Sequence, residues 1–268
     1  MVVDAATATA GASLRLLFVG DIVGPAAVAH LADRLPGLRR SLGLDLVVAN
    51  AENATLSGRE VERRFGMSRD AIAALFAHGV DVVTSGNHAW DQPDAAEVLA
   101  HPRVLRPFNL PPGRPGRGMA TVDVGGAPVT IVNLADRDAI PDALPVWAAW
   151  QTIAPAGTVV VDFHGGRIAE KVGFAFAVDG EAAAVLGIHT HEPTLPLHLL
   201  PGGTALVVDV GMTGPTGGWG GIDPAQTVAR LSGAPPPTLV GLASGPVALG
   251  AVLLTIEEGR TTVIERVY

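Results

Sequence analysis

Leu14-Arg15-Leu16-Leu17-Phe18-Val19-Gly20-Asp21 fixes the class of architecture. The apolar run, bounded by Gly20, reads as a buried strand, and Pro25 to Leu38 follows with helical composition. A strand that passes to a helix through a Gly-Asp turn opens an α/β sheet, and it puts a carboxylate at the strand's C-terminal end, where such sheets collect ligands. Capping of the following helix is the alternative role for Asp21 when the residue is taken alone.

Further along the chain, Asp45 to Ala49 and Val80 to Thr84 are apolar runs of the same kind, and between them Ser68 to His78 reads as a helix capped by Ser68. Strand and helix therefore alternate over the first hundred residues, which favours a largely parallel or mixed sheet with helices on its faces. Beyond His101 strands dominate. Thr121 to Val124 and Pro128 to Leu134 form a hairpin about Gly125-Gly126. Thr158 to Phe163, Ala183 to Ile188 and Thr204 to Asp209 are buried-strand candidates, and Leu249 to Ile256 with Thr261 to Val267 is a closing hairpin that turns at Glu258-Gly259. Two sheets with outer helices accommodate this mixture. Pro111 to Gly118 and Gly211 to Gly221 serve equally as linkers or as loops over a site. No boundary is drawn there, so residues 14–268 are expected to form one domain behind a disordered tail, residues 1–13.

Composition narrows the function. With 48% hydrophobic and only 4% aromatic residues among 268, the core must be mainly aliphatic. A net charge of −8 argues against binding to long duplex nucleic acid, which needs a basic surface, but it leaves small phosphate esters open because bound cations reverse the local potential. The chain has no cysteine, so disulfides, thiolate metal sites and cysteine nucleophiles are excluded. The first residues lack a basic segment followed by an apolar one, and no run reaches the ~18 apolar residues of a membrane span. A soluble cytoplasmic protein is expected.

Polar motifs stand at the ends of the apolar runs: Gly20-Asp21, Glu52-Asn53, Gly86-Asn87-His88, Phe163-His164 and Gly187-Ile188-His189-Thr190-His191. Taken singly, each has an ordinary explanation as a turn, a cap or a hydrogen-bonded histidine. Together they supply carboxylate, amide and imidazole donors, a set suited to Mn²⁺, Fe or Zn²⁺. In an extended backbone His189 and His191 would face the same side. Two such ions ~3.5–4 Å apart can clamp a phosphate and generate its nucleophile.

The order of these motifs resembles that of the calcineurin-like metallophosphoesterases. Glu52-Asn53 in place of a second Gly-Asp, and Gly86-Asn87-His88-Ala89-Trp90-Asp91, are similar to the bacterial YmdB group. Arg106-Pro107-x-Asn109, Val132-Asn133-Leu134, Glu170-Lys171, Gly203-Thr204-Ala205 and Asp209 to Pro215 extend the similarity from Leu14 to the C-terminus. The resemblance implies a four-layer α/β/β/α sandwich, two mixed sheets flanked by helices, with two divalent or mixed-valence iron or manganese ions. It implies that Asp21, Asn53 and His191 hold one ion, that Asn87, His164 and His189 hold the other, and that Glu52 bridges them. His88 becomes the proton donor, and the reaction is in-line attack by a metal-bridging hydroxide on a small phosphodiester, with 2′,3′-cyclic nucleotides as the substrate class. Homo-oligomerisation is a further implication of the resemblance alone.

The chain departs from the group's pattern at Ser57-Gly58-Arg59-Glu60, at Thr216 to Gly221 and after His164. There His-Ala-Glu-Ala-Thr-Ser-Glu-Lys is replaced by His164-Gly165-Gly166-Arg167-Ile168-Ala169-Glu170-Lys171, which loses a carboxylate beside a ligand. Lys171 is the chain's sole lysine, and an ion pair with Glu170 is its expected role, ahead of the alternative of supporting the ligands or steering phosphate. A phosphomonoesterase or nucleotidase with the same centre, and a weakly catalytic metal-binding regulatory protein, are the alternatives to a diesterase.

Overall fold

A computed structural model describes residues 13–57, 65–235 and 241–268. The expected tail, apart from Ser13, and Gly58, Arg59 and Glu60 of the altered loop lie outside the described residues. The first part of the chain alternates as expected: β1 (Leu14–Val19), α1 (Pro25–Leu42), β2 (Leu46–Asn50), α2 (Arg69–Ala77), β3 (Val82–Thr84) and α3 (Ala95–Ala100). Next come β4 (Met119–Val124), β5 (Ala127–Ala135), α4 (Val146–Trp150), β6 (Thr158–His164), α5 (Ile168–Ala177), β7 (Ala184–Ile188), β8 (His198–Leu199) and β9 (Ala205–Val207). The chain closes through β10 (Gly214–Pro215), α6 (Ala225–Ser232), β11 (Val247–Ala248), β12 (Ala251–Glu257) and β13 (Arg260–Val267).

Two mixed sheets result. One has the order β13-β12-β1-β2-β3 with β1, β2 and β3 parallel, and the other has the order β4-β5-β6-β7-β9-β8 with its four central strands parallel. The sheets face each other across an apolar layer of Leu16, Phe18, Val48, Ile131, Val160, Leu186 and Val252. Helices α1, α2 and α3 cover the outer face of the first sheet through Leu31, Leu35, Leu75 and Leu99. Helices α4 and α5 cover the second through Trp150 and Phe174. This is the four-layer α/β/β/α sandwich.

The two-residue period of a strand explains what reaches the space between the sheets. In β6, Val159, Val161 and Phe163 pack outward against α5, while Val160 packs inward. Asp162 and His164 therefore share the inward face. A one-residue slip would drive both into the outer apolar layer, at a cost of several kcal/mol for an unpaired buried carboxylate.

Local chemistry fixes the remaining elements. Ser68 caps α2, accepting the Ala71 N–H at 3.3 Å. The last hairpin turns at Glu258 (φ 50°) and Gly259 (φ 77°), the double left-handed pair that a two-residue connection requires. Helix α1 runs on to Leu42 rather than ending at Leu38, because Leu35, Leu38 and Leu42 keep packing on the sheet beyond Pro36 and Gly43 supplies the left-handed stop. Asp21 does not cap this helix; Gly24 occupies that position.

Candidate metal centre

Every expected site residue comes to the same end of the two sheets. Asp21 lies beyond β1, Glu52 and Asn53 beyond β2, Asn87 and His88 beyond β3, and His189 and His191 beyond β7, while His164 is the last residue of β6. These are C-terminal ends of parallel strands, where loops diverge and leave space for a ligand.

The side chains fall into two neighbouring groups. His191 Nε2 lies 3.2 Å from Asn53 Nδ2 and 3.9 Å from Asp21 Oδ1. His164 Nε2 lies 2.8 Å from Asn87 Oδ1 and 3.4 Å from Glu52 Oε1, and its ring stands edge-on to that of His189 with centroids 4.5 Å apart. Glu52 stands between the groups, since its Oε1 also accepts from Asn53 Nδ2 at 3.4 Å. Donor atoms of Glu52, His164 and His189 all lie within 4.8 Å of one another.

Unmet hydrogen-bonding capacity shows what this cluster is suited to hold. Asp21 Oδ1, Asn53 Oδ1 and His164 Nδ1 are buried without a hydrogen-bond partner, and such groups cost about 1–3 kcal/mol each when left unsatisfied. A half-turn of the Asn53 amide would bring its free oxygen to where Nδ2 now stands beside His191. Gly86 leaves room for the cluster, because a Cβ there would lie 2.3 Å from Glu52 Oε2 and from His164 Nε2. Burial, reinforced by Asp21, holds the Glu52 carboxyl well above the usual range. Burial, reinforced by His189, holds the His164 imidazole well below its own. An inward-facing carboxyl crowded by another carboxylate and a neutral imidazole fit a hard or borderline cation.

The His189-Thr190-His191 segment is not extended, contrary to the expectation from its spacing. His189 has φ 102° and His191 has φ 66°, both in the left-handed region that L side chains seldom enter. The two imidazoles are aimed by this bent loop. The His189 N–H donates to Asp21 Oδ2 at 3.0 Å, and His191 Nδ1 bonds the Gly220 carbonyl at 2.9 Å.

His88 sits apart from the donor cluster. Its backbone N–H reaches Glu52 Oε2 at 3.3 Å, while its ring bonds Asp91 through Nδ1 at 2.7 Å and stacks on Phe65 with centroids 4.0 Å apart.

Asn50, Asp136, Asp162 and Asp209 shape the centre without having been assigned a role from sequence, and Lys171 takes a role other than the expected one. Asn50 Nδ2 donates to Asp162 Oδ2 at 3.2 Å, a bond between the two sheets two residues before Glu52 and two before His164. Lys171 does not pair with Glu170. Its side chain is buried and reaches Asp209, whereas Glu170 bonds Arg167 at the surface. After His164, a Cβ on Gly165 would lie 2.2 Å from Asp136 Oδ2, and one on Gly166 would lie 2.3 Å from Asp138 Oδ2. The two glycines thus make way for two carboxylates from the loop after β5. The signal that marks Asp162 is its place inside a strand that is buried from Val159 to His164, while Asp136 and Asp209 become visible only in three dimensions.

A family model described as YmdB-like protein matches residues 17–267. The chain is 32% identical over 251 residues to the 2′,3′-cyclic-nucleotide 2′-phosphodiesterase of Bacillus subtilis (strain 168), covering 91% of this chain and 92% of the relative. A crystal structure of a hypothetical protein from Thermus thermophilus superimposes with a TM-score of 0.86 at 36% identity, covering 95% of this chain and 98% of that one. A novel phosphatase from Mycoplasma pneumoniae superimposes with a TM-score of 0.87 at 27% identity, covering 96% and 93%. With a family match over nearly its whole length and this strand-end cluster of donors, the chain belongs to the YmdB-like family, whose relatives here are named as phosphodiesterase and phosphatase.

Proposed function

We propose that this protein is a two-metal phosphodiesterase acting on small diesters, in particular 2′,3′-cyclic nucleotides, and that residues 14–268 form its one catalytic domain. The observation that carries the reading is the convergence of seven donor residues from strand ends of both sheets on one buried cluster with unpartnered donor atoms. Asp21, Asn53 and His191 would hold one cation, Asn87, His164 and His189 would hold the other, and Glu52, which stands between the two groups, would serve both. The two neighbouring groups of short donor distances support this division. When bound, the iron or manganese ions supply a nucleophile at neutral pH and withdraw charge from the phosphate oxygens.

The chain's own residues do the rest. Glu52 must shed its proton to bind, and His164, kept neutral by burial, offers a lone pair without losing one. In its doubly protonated form His88 delivers the Nε2 proton to the leaving oxygen and keeps the proton on Nδ1, a role that general acid catalysis gives to an imidazole placed beside, and not within, the donor cluster. Asp91 accepts from Nδ1 and so leaves Nε2 as the nitrogen available to substrate, while Phe65 restrains the ring's rotation.

The name of the Bacillus relative supports the cyclic-nucleotide assignment, and that of the Mycoplasma structure favours a second reading, a phosphomonoesterase with the same centre. The two are separated by adding Mn²⁺ to metal-stripped protein and comparing bis-p-nitrophenyl phosphate with p-nitrophenyl phosphate. Preference for the diester supports the first reading, and cleavage of the monoester alone supports the second. No described helix is long and apolar enough to cross a membrane.

A further inference from the structure

Lys171 is 1% exposed, although it is the sole lysine of the chain. It leaves α5 and crosses β7 at Gly187, where a Cβ would lie 2.8 Å from its Cδ and 2.0 Å from the Val208 carbonyl oxygen. Glycine at that position opens the channel through which the lysine stem passes. At its end the ammonium donates to the Ile188 carbonyl at 2.9 Å and to Asp209 Oδ2 at 3.4 Å.

Asp209 is the hub of the surrounding bonds. The same Oδ2 accepts the Thr190 N–H at 3.1 Å and the Thr190 hydroxyl at 2.8 Å, and Oδ1 accepts the Gly211 N–H at 2.9 Å. Lys171 thereby grips the loop at the carbonyl just before His189 and, through Asp209, at the residue between His189 and His191. Those two histidines carry the left-handed backbone angles. A strained conformation persists only where its surroundings over-determine it, and here two histidines assigned to different cations depend on the same two anchors.

We propose that the buried Lys171–Asp209 pair is a positioning device that holds His189-Thr190-His191 in its left-handed conformation and thereby sets the affinity of both cation sites. The inference rests on the two-metal reading above. The pair touches no substrate and takes no part in proton transfer. Its effect runs through imidazole placement alone, since an undirected loop would relax toward ordinary backbone angles and turn the two rings away from Glu52 and Asn53.

The test is Mn²⁺ titration by calorimetry, together with thermal unfolding of the metal-free and Mn²⁺-loaded protein, for the parent chain, Lys171→Met and Thr190→Val. Methionine fills the channel without the charge. Thr190→Val removes the hydroxyl's bonds to Asp209 and to the Glu192 backbone from a half-buried residue and leaves the ion pair in place, so it decides the matter if Lys171→Met does not fold. The expected result is at least a tenfold loss of Mn²⁺ affinity in Lys171→Met, a smaller loss in Thr190→Val, and a reduced rise of Tm on adding Mn²⁺. A purely structural role would lower Tm equally with and without metal and leave affinity within twofold of the parent, and that result in a folded variant overturns the proposal. A parent chain that binds no Mn²⁺ or Fe²⁺ would instead overturn the two-metal reading itself.

Discussion

Asp91 Oδ2 accepts a hydrogen bond from His88 Nδ1 at 2.7 Å, three residues along the same turn. A carboxylate can only accept, so the proton resides on Nδ1 when the ring is neutral and Nε2 is the nitrogen left for chemistry. On the proposed reading, the pairing of a restrained imidazole with a separate donor cluster would divide the centre into a part that holds cations and a part that moves a proton.

Asp91→Asn should therefore leave metal content unchanged and lower kcat selectively. For a diester whose leaving group is an alkoxide, a loss of roughly ten- to a hundredfold is expected, within the range of general acid catalysis. A p-nitrophenolate leaving group needs little protonation and should be nearly unaffected. Equal losses for both esters, measured at saturating substrate, would contradict this division.

His88→Ala and Glu52→Gln should fail in different ways. The first removes the proposed proton donor and should reduce turnover by about 10²- to 10⁴-fold with metal stoichiometry intact. The second removes the carboxylate that stands between the two donor groups, so metal analysis should show a depleted centre. Equal metal loss in both variants would show that His88 belongs to the binding set.

Gly86→Ala places a methyl group 2.3 Å from Glu52 Oε2 and His164 Nε2. Overpacking of this kind destabilises by about 1–3 kcal/mol, and here it also pushes donors apart. The expected outcome is a folded protein with lower Tm that retains less metal than the parent. Full retention of both ions would mean that the donors shift freely.

The pH dependence follows from Glu52. Its folded, metal-free pKa is raised above the ordinary 4.5 by burial and by Asp21, so its contribution to stability is present below the unfolded value and is lost as pH rises through the folded one. Metal binding needs the carboxylate and expels that proton, so affinity should increase with pH across the same window. The Mn²⁺-induced rise of Tm should grow as pH is raised above the ordinary carboxylate range, and titrations in buffers of different ionisation heat should register proton release that fades as pH rises. A rise of Tm independent of pH would contradict the raised carboxyl.

Much of this was legible in the chain. The β1 run with its Gly-Asp end, the hairpins at Gly125-Gly126 and Glu258-Gly259 and the cap at Ser68 are local signals, and each acts within a few residues of where it is written. The donor residues were legible because each follows an apolar run that becomes a strand. What sequence did not reveal is long-range. Lys171 meets Asp209 across 38 positions, and Asn50 meets Asp162 across 112. The left-handed turns at His189 and His191 oppose the local preference of histidine and exist because tertiary bonds impose them, which is why spacing suggested an extended segment instead.

The decisive experiment is hydrolysis of 2′,3′-cAMP by metal-stripped protein, with and without added Mn²⁺ or Fe²⁺, beside His88→Ala carrying the same metal load. Cleavage should appear only with metal and fall by at least a hundredfold in the variant, in line with the contribution of a general acid. Absence of cleavage by a parent protein shown to hold two ions, or equal cleavage by His88→Ala, would contradict a two-metal diesterase that uses His88 as its acid.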